Sequence, residues 1–239
     1  MRRPPDSDSA RETHSAAEKL ERRWLMPRLW RLAAIYILGL AAFVPLAWLA
    51  SFSDYFSWDL HTARLIQSVH MPGLFEFMAA ISFLGDEWTP HALTVSTAIV
   101  FLAFRRRRAG VGLFLTVVSG ELINRTLKYL IGRPRPAPDV VHVFRYYWSK
   151  SFPSGHVTFY VCYFGFLFFL AYSLMPRGSL RRRWVLTLTC LPILLIGFSR
   201  VYLGEHWPSD TIGSYLLGGM WVSLCVQGYR RWTQRALAA

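Results

Sequence analysis

Cysteine and acidic side chains are both scarce in this chain of 239 residues. The three cysteines, Cys162, Cys190 and Cys225, each lie inside an apolar run, and none has CxxC or metal-finger spacing. That excludes a disulfide framework and a zinc module, and leaves small buried side chains as their role. No cluster with metal-ligand spacing occurs elsewhere, so no metal and no cofactor is expected. Asp and Glu number 14 against 27 Lys and Arg, a formal charge of +13. Such a balance suits a nucleic-acid binder when the charge forms a patch on a soluble domain. No nucleic-acid-binding motif is present, however. The arginines come in short blocks between apolar segments, which is the pattern of membrane topology.

Apolar residues are abundant. They make up 53% of the chain, too many for an ordinary soluble domain. Residues 1–28 are polar and without apolar periodicity, and are expected to form a loosely ordered cytoplasmic tail. The remainder, 29–235, is expected to be an all-α polytopic membrane bundle of six transmembrane helices. The spans fall near 32–52, 88–104, 111–131, 157–175, 184–203 and 211–229. The first run is long enough to cross a hydrocarbon core, which needs about 20 residues. A signal peptide has a shorter apolar region, so an uncleaved span is expected. Segment 71–85 is apolar but too short to cross, and is expected at the interface or beside the bundle.

Charge supports the count of six. Arg22, Arg23, Arg28 and Arg31 precede the first span, and Arg105, Arg106, Arg107 and Arg108 follow the second. Arg177, Arg181, Arg182 and Arg183 follow the fourth, and Arg230, Arg231 and Arg235 the sixth. With six spans all four blocks fall on one side, which the positive-inside rule makes cytoplasmic. The first opposite loop, 53–87, has Arg64 against Asp54, Asp59, Glu76, Asp86 and Glu87. Both termini are therefore expected inside.

Three polar clusters then fall at the outer face. KYLIGRPRP (128–136) ends the third span, PSGH (153–156) opens the fourth, and SRVYLGEHWPSD (199–210) joins the fifth to the sixth. Converging cations such as Lys128, Arg135 and Arg200 need an anion, and a phosphoryl group suits them because its oxygens gain charge as it transfers. Ser154 can cap the fourth span, whose N-terminal N–H groups form a ready anion site. Gly155 lets that backbone approach the ligand. His206 precedes Asp210 by four residues, a spacing that can bring the carboxylate onto one ring nitrogen and leave the other free to attack. His156 has no local carboxylate and is available as an acid for a leaving oxygen, then as a base for water.

In this order and with these gaps, the three clusters resemble the signature motifs of the type 2 phosphatidic acid phosphatase (PAP2) family. Its superfamily includes bacterial acid phosphatases and vanadium haloperoxidases. The resemblance covers about residues 75–228. It implies a PAP2/vanadium-haloperoxidase-like helical core and a metal-independent phosphatase. His206 would be the nucleophile that forms a phosphohistidine, Asp210 its orienting group, and His156 the acid for the leaving group. Lys128, Arg135 and Arg200, with Ser154 and the Gly155 amide, would hold the phosphate. The implied partners are a phosphorylated membrane lipid and the bilayer, with no obligate protein partner. Undecaprenyl pyrophosphate, phosphatidylglycerol phosphate and phosphatidic acid are the substrates to expect, and the small size favours the first as that of a housekeeping enzyme.

Other readings carry over to the structure. A lipid phosphotransferase would use the same residues. A vanadate-dependent peroxidase fits poorly with six spans. A non-enzymatic transporter is allowed by internal charges, although no inverted repeat is visible. Arg133 lies outside the spaced pattern and reads as structural or headgroup-binding. Glu121 and Arg125, four apart in the third span with Asn124 between them, can pair on one face. As ionisable residues inside a span they are functional candidates, but they read first as a buried pair that holds the bundle. His61, His70, His91 and His142 read as structural. Phe144, Tyr146, Tyr147 and Trp148 read as an interfacial belt or the rim of a lipid portal.

Overall fold

In the computed structural model, Trp30 and residues 32–238 are described. The expected cytoplasmic tail lies outside these residues, as does Arg31 of the first arginine block. Eight helices account for the regular structure of the described residues. They are α1 (Leu32–Ala50), α2 (Ser57–Gln67), α3 (Leu74–Phe83), α4 (Thr89–Ala103), α5 (Arg107–Ile131), α6 (Gly155–Leu174), α7 (Leu180–Tyr202) and α8 (Pro208–Ala238). The all-α class is as expected, and a helix stands at each of the six expected spans. Among the described residues, α1, α6 and α7 are long and apolar enough to cross a membrane. Helix α4 is apolar but has 15 residues, about 22 Å at 1.5 Å each.

The chain divides into two compact units at Ala41 and Ala42. The described part of the first unit is the opening of α1, an apolar helix with Ile35, Ile37 and Leu38 exposed. Exposed aliphatic surface of this kind is what hydrocarbon solvates.

In the second unit α6 is the central element. It packs against α5, α7 and α8, while α4 packs on α5 and α3 on α7. Its sequence is apolar on all sides, and Val157, Tyr160, Cys162, Phe166 and Leu170 are buried in one cluster with Leu113 and Val117 of α5 and Ile196 of α7. Small residues let these helices approach closely, as membrane helices require when no water drives them together. A Cβ at Gly120 of α5 would lie 2.6 Å from the Cys162 sulfur, and one at Gly218 of α8 would lie 3.0 Å from Val161. The three cysteines are free.

Segment 71–85 forms the short helix α3, packed beside α7, which agrees with the expectation that it does not cross. Helix α2 was not legible as an apolar run. The Asp59 side chain accepts a hydrogen bond from the Phe56 backbone N–H in its first turn, 3.2 Å away, and the helix packs against α7 and α8. Helix α5 stops at Gly132, whose φ of +70° only glycine adopts without strain and whose N–H returns to the Lys128 carbonyl. That stop turns Arg133 and Arg135 back over the helix ends.

Candidate active site

The ends of α5 and α6 and the turn between α7 and α8 meet in a cleft of about 340 Å³. Lys128, Arg135, Tyr147, Gly155, His156 and His206 all line it. Thus five of the eight site residues expected from sequence share one cavity, although they span 79 positions of the chain. Asp210 and Ser154 are fully buried just behind it.

His206 sits on the turn before α8, whose first residue is Pro208, a residue suited to the first helical turn. Its Nε2 lies 3.3 Å from the Arg135 Nη1. A guanidinium has only donors, so Nε2 is the acceptor and the ring proton belongs on Nδ1. Nδ1 points at the Asp210 Oδ2, 3.4 Å away, and at the Ser151 Oγ at the same distance. The four-residue spacing read from sequence therefore does bring carboxylate and imidazole together. Burial, reinforced by the charges of Arg135, Lys128 and Arg200, holds the His206 imidazole well below its ordinary pKa, so the ring is neutral near pH 7.

Asp210 is fixed from several sides. Its Oδ2 accepts from the Trp207 backbone N–H at 2.9 Å and from the Ser151 hydroxyl. Its Oδ1 accepts from the Arg133 Nη1 at 2.7 Å. Arg133, which sequence left aside, is fully buried. It also donates to the Ser209 Oγ at 2.6 Å, to Asp59 at 2.8 Å, and through Nε to the Ser53 and Asp54 carbonyls. Asp59 in turn accepts from the Ser209 backbone N–H at 2.8 Å. One arginine and two carboxylates thus tie α2, the end of α5 and the start of α8 into one buried network.

The anion-binding side is equally built. Lys128 donates to the Lys150 and Ser151 carbonyls at 2.7 and 3.1 Å. Arg135 donates to Ser149 and to the Glu205 carbonyl, and its guanidinium lies over the Tyr147 ring, 4.7 Å from the centroid. Burial and the like charge of Arg200 lower Arg135 to about 10, which leaves it cationic at neutral pH. Ser154 is the N-cap of α6 as expected, but its hydroxyl makes no capping bond and has no hydrogen-bond partner among the described residues. Asn124 instead holds this helix end, donating to Thr158 Oγ1 at 2.9 Å and to the Pro153 and Ser154 carbonyls. A Cβ at Gly155 would project between Asn124 Oδ1 and Lys128 Cε, at 3.6 and 3.9 Å, so glycine keeps that side of the cleft open.

Two placements differ from the simplest reading of the motifs. Arg200 is fully buried and does not line the cleft; it pairs with Glu205 and donates to Ser82, with the Tyr147 ring 5.6 Å from its guanidinium. Burial pushes Glu205 up from its ordinary value despite this partner. His156, without a carboxylate nearby in sequence, has one in space: its Nε2 lies 2.8 Å from the Asp86 Oδ1. Burial raises Asp86, but the bond from His156 and the charge of Arg200 outweigh it and hold the carboxyl below its usual range. Tyr147 donates to the same oxygen at 3.0 Å.

The arrangement offers a buried neutral imidazole facing two cations, a helix N-terminus and a second histidine, which is equipment for taking up a phosphoryl group. The sequence of residues 109–234 matches the family model of the PAP2 superfamily. The chain belongs to the PAP2 superfamily. It is 32% identical over 152 residues to phosphatidylglycerophosphatase B of Bacillus subtilis, covering 63% of this chain and 72% of that one. It is 29% identical to an undecaprenyl-diphosphatase of Sulfolobus acidocaldarius, covering 67% and 72%. The structure is similar to the crystal structure of a transmembrane PAP2-type phosphatidylglycerolphosphate phosphatase from Bacillus subtilis, with a TM-score of 0.70 and 27% identity. That match covers 82% of this chain and 96% of the other. This PAP2 protein is accordingly a phosphatase and an integral membrane protein.

Within the PAP2 site, the residues to which the sequence assigns no catalytic or phosphate-binding role are Arg133, Asp59, Asp86, Ser151 and Tyr147. Asp59 and Asp86 had counted only as acidic loop charges. Tyr147 had been read as belt or portal, and it forms a wall of the cleft between Arg135 and Arg200. Glu121 and Arg125 do pair, yet Arg125 is 68% exposed and both line the cleft, so they are not the buried pair expected. Among the described residues no group of three or more His, Cys, Asp or Glu is placed to hold a metal ion.

Proposed function

We propose that this PAP2 phosphatase removes a terminal phosphate from a membrane lipid, at the outer face of a bacterial inner membrane, through a phosphohistidine on His206. The observation that carries the reading is the His206 Nε2, unprotonated and aimed into a cleft that also holds Arg135, Lys128, Gly155 and His156. In the first step Nε2 attacks phosphorus and the bond from phosphorus to the lipid oxygen breaks. His156 takes up a proton on Nδ1 from the bound phosphate monoester monoanion and gives it to that oxygen. In the second step water attacks the phosphohistidine, His156 takes the water proton, and inorganic phosphate leaves. Asp86 holds the Nε2 of His156, which leaves Nδ1 as the nitrogen that meets the leaving oxygen. Asp210 orients His206 and stabilises the positive ring that forms. Lys128, Arg135 and the amide of Gly155 hold the equatorial oxygens, Ser154 supports them from behind the cleft, and Arg200 acts from behind Tyr147.

If the chain crosses six times, the arginine blocks of the sequence would fall on one side of the membrane and the cleft residues on the other, which supports the outer-face reading. The relatives named for phosphatidylglycerophosphate and undecaprenyl diphosphate support a lipid phosphate or pyrophosphate as substrate. The reading is tested by incubating purified protein in detergent with such lipids and measuring free phosphate. A phosphorylated lipid appearing in place of free phosphate would indicate a phosphotransferase.

Two further outcomes are expected. Because burial depresses the His206 pKa, the nucleophile stays unprotonated as pH falls through the ordinary histidine value of about 6.5. The acid limb of kcat/KM, after allowing for the substrate's own ionisation near about 6, is therefore expected below pH 6.5. A limb at or above 6.5 assigned to the enzyme would contradict a desolvated imidazole. For orientation, a single cysteine at Trp148, which is 93% exposed, is expected to react with an impermeant thiol reagent on intact cells. Labelling seen only after lysis would place the cleft inside.

A further inference from the structure

The cleft extends past the phosphate-binding residues to a second polar group. Glu121 sits between two partners: one carboxylate oxygen pairs with Arg125, and the other lies 3.3 Å from the His91 Nε2. All three line the cleft, together with Glu87. They are also accessible, with His91 44%, Glu121 34% and Arg125 68% exposed. Neither the phosphate transfer nor the buried network uses them.

Their position is fixed by helix geometry. Arg125 and Lys128 are three apart on α5, one turn, so Arg125 lies about 4.5 Å further along the axis, away from the end that carries Lys128. His91 is in the first turn of α4, yet it reaches Glu121, which stands ten residues before the end of α5. The last ten residues of α5 therefore rise about 15 Å above the start of α4. Leu122, Tyr129 and Leu130 on that rise are exposed at 65, 86 and 70%. Pro90 and His91 of α4 line the cleft on that side, and the His91–Glu121–Arg125 group forms its sill. A lipid whose phosphate rests between Lys128, Arg135 and His206 passes its next few atoms over that sill.

Charge decides what those atoms are. A second phosphate next to the first would need surplus cations. Here the two carboxylates, Glu87 and Glu121, match or exceed the cations, since His91 is at most singly charged. The group instead offers the remaining N–H donors of Arg125 beside the remaining lone pairs of Glu121. A hydroxyl, one donor with two acceptor sites, matches that pair. We infer that His91, Glu121 and Arg125 form a specificity subsite that binds an uncharged, hydroxyl-bearing leaving group, such as the glycerol of a lipid phosphate monoester. This deepens the phosphatase reading above and rests on it.

The test compares two micellar substrates of equal chain, oleoyl lysophosphatidic acid, whose leaving group carries a hydroxyl, and oleyl phosphate, whose leaving group does not. Wild-type protein is expected to favour the first by about 10-fold or more in kcat/KM, the scale of one net hydrogen bond. Arg125→Ala and Glu121→Gln are expected to bring that ratio to within about 3-fold, with the loss in KM for lysophosphatidic acid. Arg125 is exposed, so its variant carries the test if Glu121→Gln folds poorly. A ratio unchanged in both variants would overturn the subsite. So would a wild-type preference for farnesyl diphosphate that Arg125→Ala abolishes, which would make it a second-phosphate site. Release of phosphate from neither monoester by wild type would instead remove the phosphatase reading, and the subsite with it.

Discussion

His206→Ala is expected to lower phosphate release from a lipid phosphate by at least about 10³-fold, the scale of losing a covalent nucleophile. The lost atom is the Nε2, and no other side chain is positioned to replace it. The other imidazoles of the cleft are His156, whose Nε2 is bound to Asp86, and His91, whose Nε2 faces Glu121. Arg135 and Lys128 remain, so the variant should still bind substrate, and KM should change far less than kcat. The fold should survive, because the imidazole makes contacts of 3.3–3.4 Å only, to Arg135, Ser151 and Asp210. The measurement is phosphate release in detergent, with size-exclusion and melting profiles as controls. EDTA is expected to leave the wild-type rate unchanged, since the proposed steps pass through histidine. A well-folded His206→Ala protein within tenfold of wild type would sink the nucleophile assignment.

Arg133→Met should cost about 3–5 kcal/mol of stability, the usual result of stripping a buried ion pair of one partner. Two carboxylates depend on this guanidinium. Asp59 and Asp210 are both fully buried, and each would lose the guanidinium it pairs with. For a chain of this size the loss corresponds to a fall in Tm of about 10 °C or more. Activity should fall too, because Asp210 loses the contact that fixes one of its oxygens. Arg133→Lys should be intermediate: it restores charge but cannot reach Asp59, Asp210, Ser209 and two carbonyls in one fork. Adding Asp59→Asn to Arg133→Met should recover part of the melting temperature. A Tm for Arg133→Met within 2 °C of wild type would show that the network does not hold the site. The sequence reading of this residue as structural was sound, but its alternative as a headgroup ligand does not survive its complete burial.

The contrast between Arg133 and Arg135 shows where sequence reasoning reached and where it stopped. The two residues share a turn and differ by two positions, yet one faces the cleft and the other is sealed among carboxylates. Spacing within a motif identified Arg135, and nothing local distinguished the task of Arg133. Likewise the i,i+4 relation of His206 and Asp210 was visible, because four residues around a helix start are near in space whatever the rest of the chain does. The pairing of His156 with Asp86 was not, since 70 positions separate them. Asp59, 74 positions from Arg133, was hidden for the same reason. Helix α2 escaped because it is half polar and only 11 residues long, with no apolar run to betray it.

By itself the sequence determined the quantities that local chemistry controls. Long apolar runs must become helices in hydrocarbon, where an unpaired backbone group is too costly. The expected runs 157–175 and 184–203 accordingly lie within or against α6, Gly155–Leu174, and α7, Leu180–Tyr202. Short-range spacing also identified Lys128, Arg135, His156 and His206 as a set. Only the tertiary structure decided which groups face the cleft. Packing of α6 among α5, α7 and α8 brings those helix ends together, and it also sets Tyr147 in front of Arg200 and Asp86 on His156. Such contacts depend on the relative height and rotation of whole helices. The level of α4 against α5, which sets the sill at His91 and Glu121, is one such height, and no residue pattern within either helix encodes it.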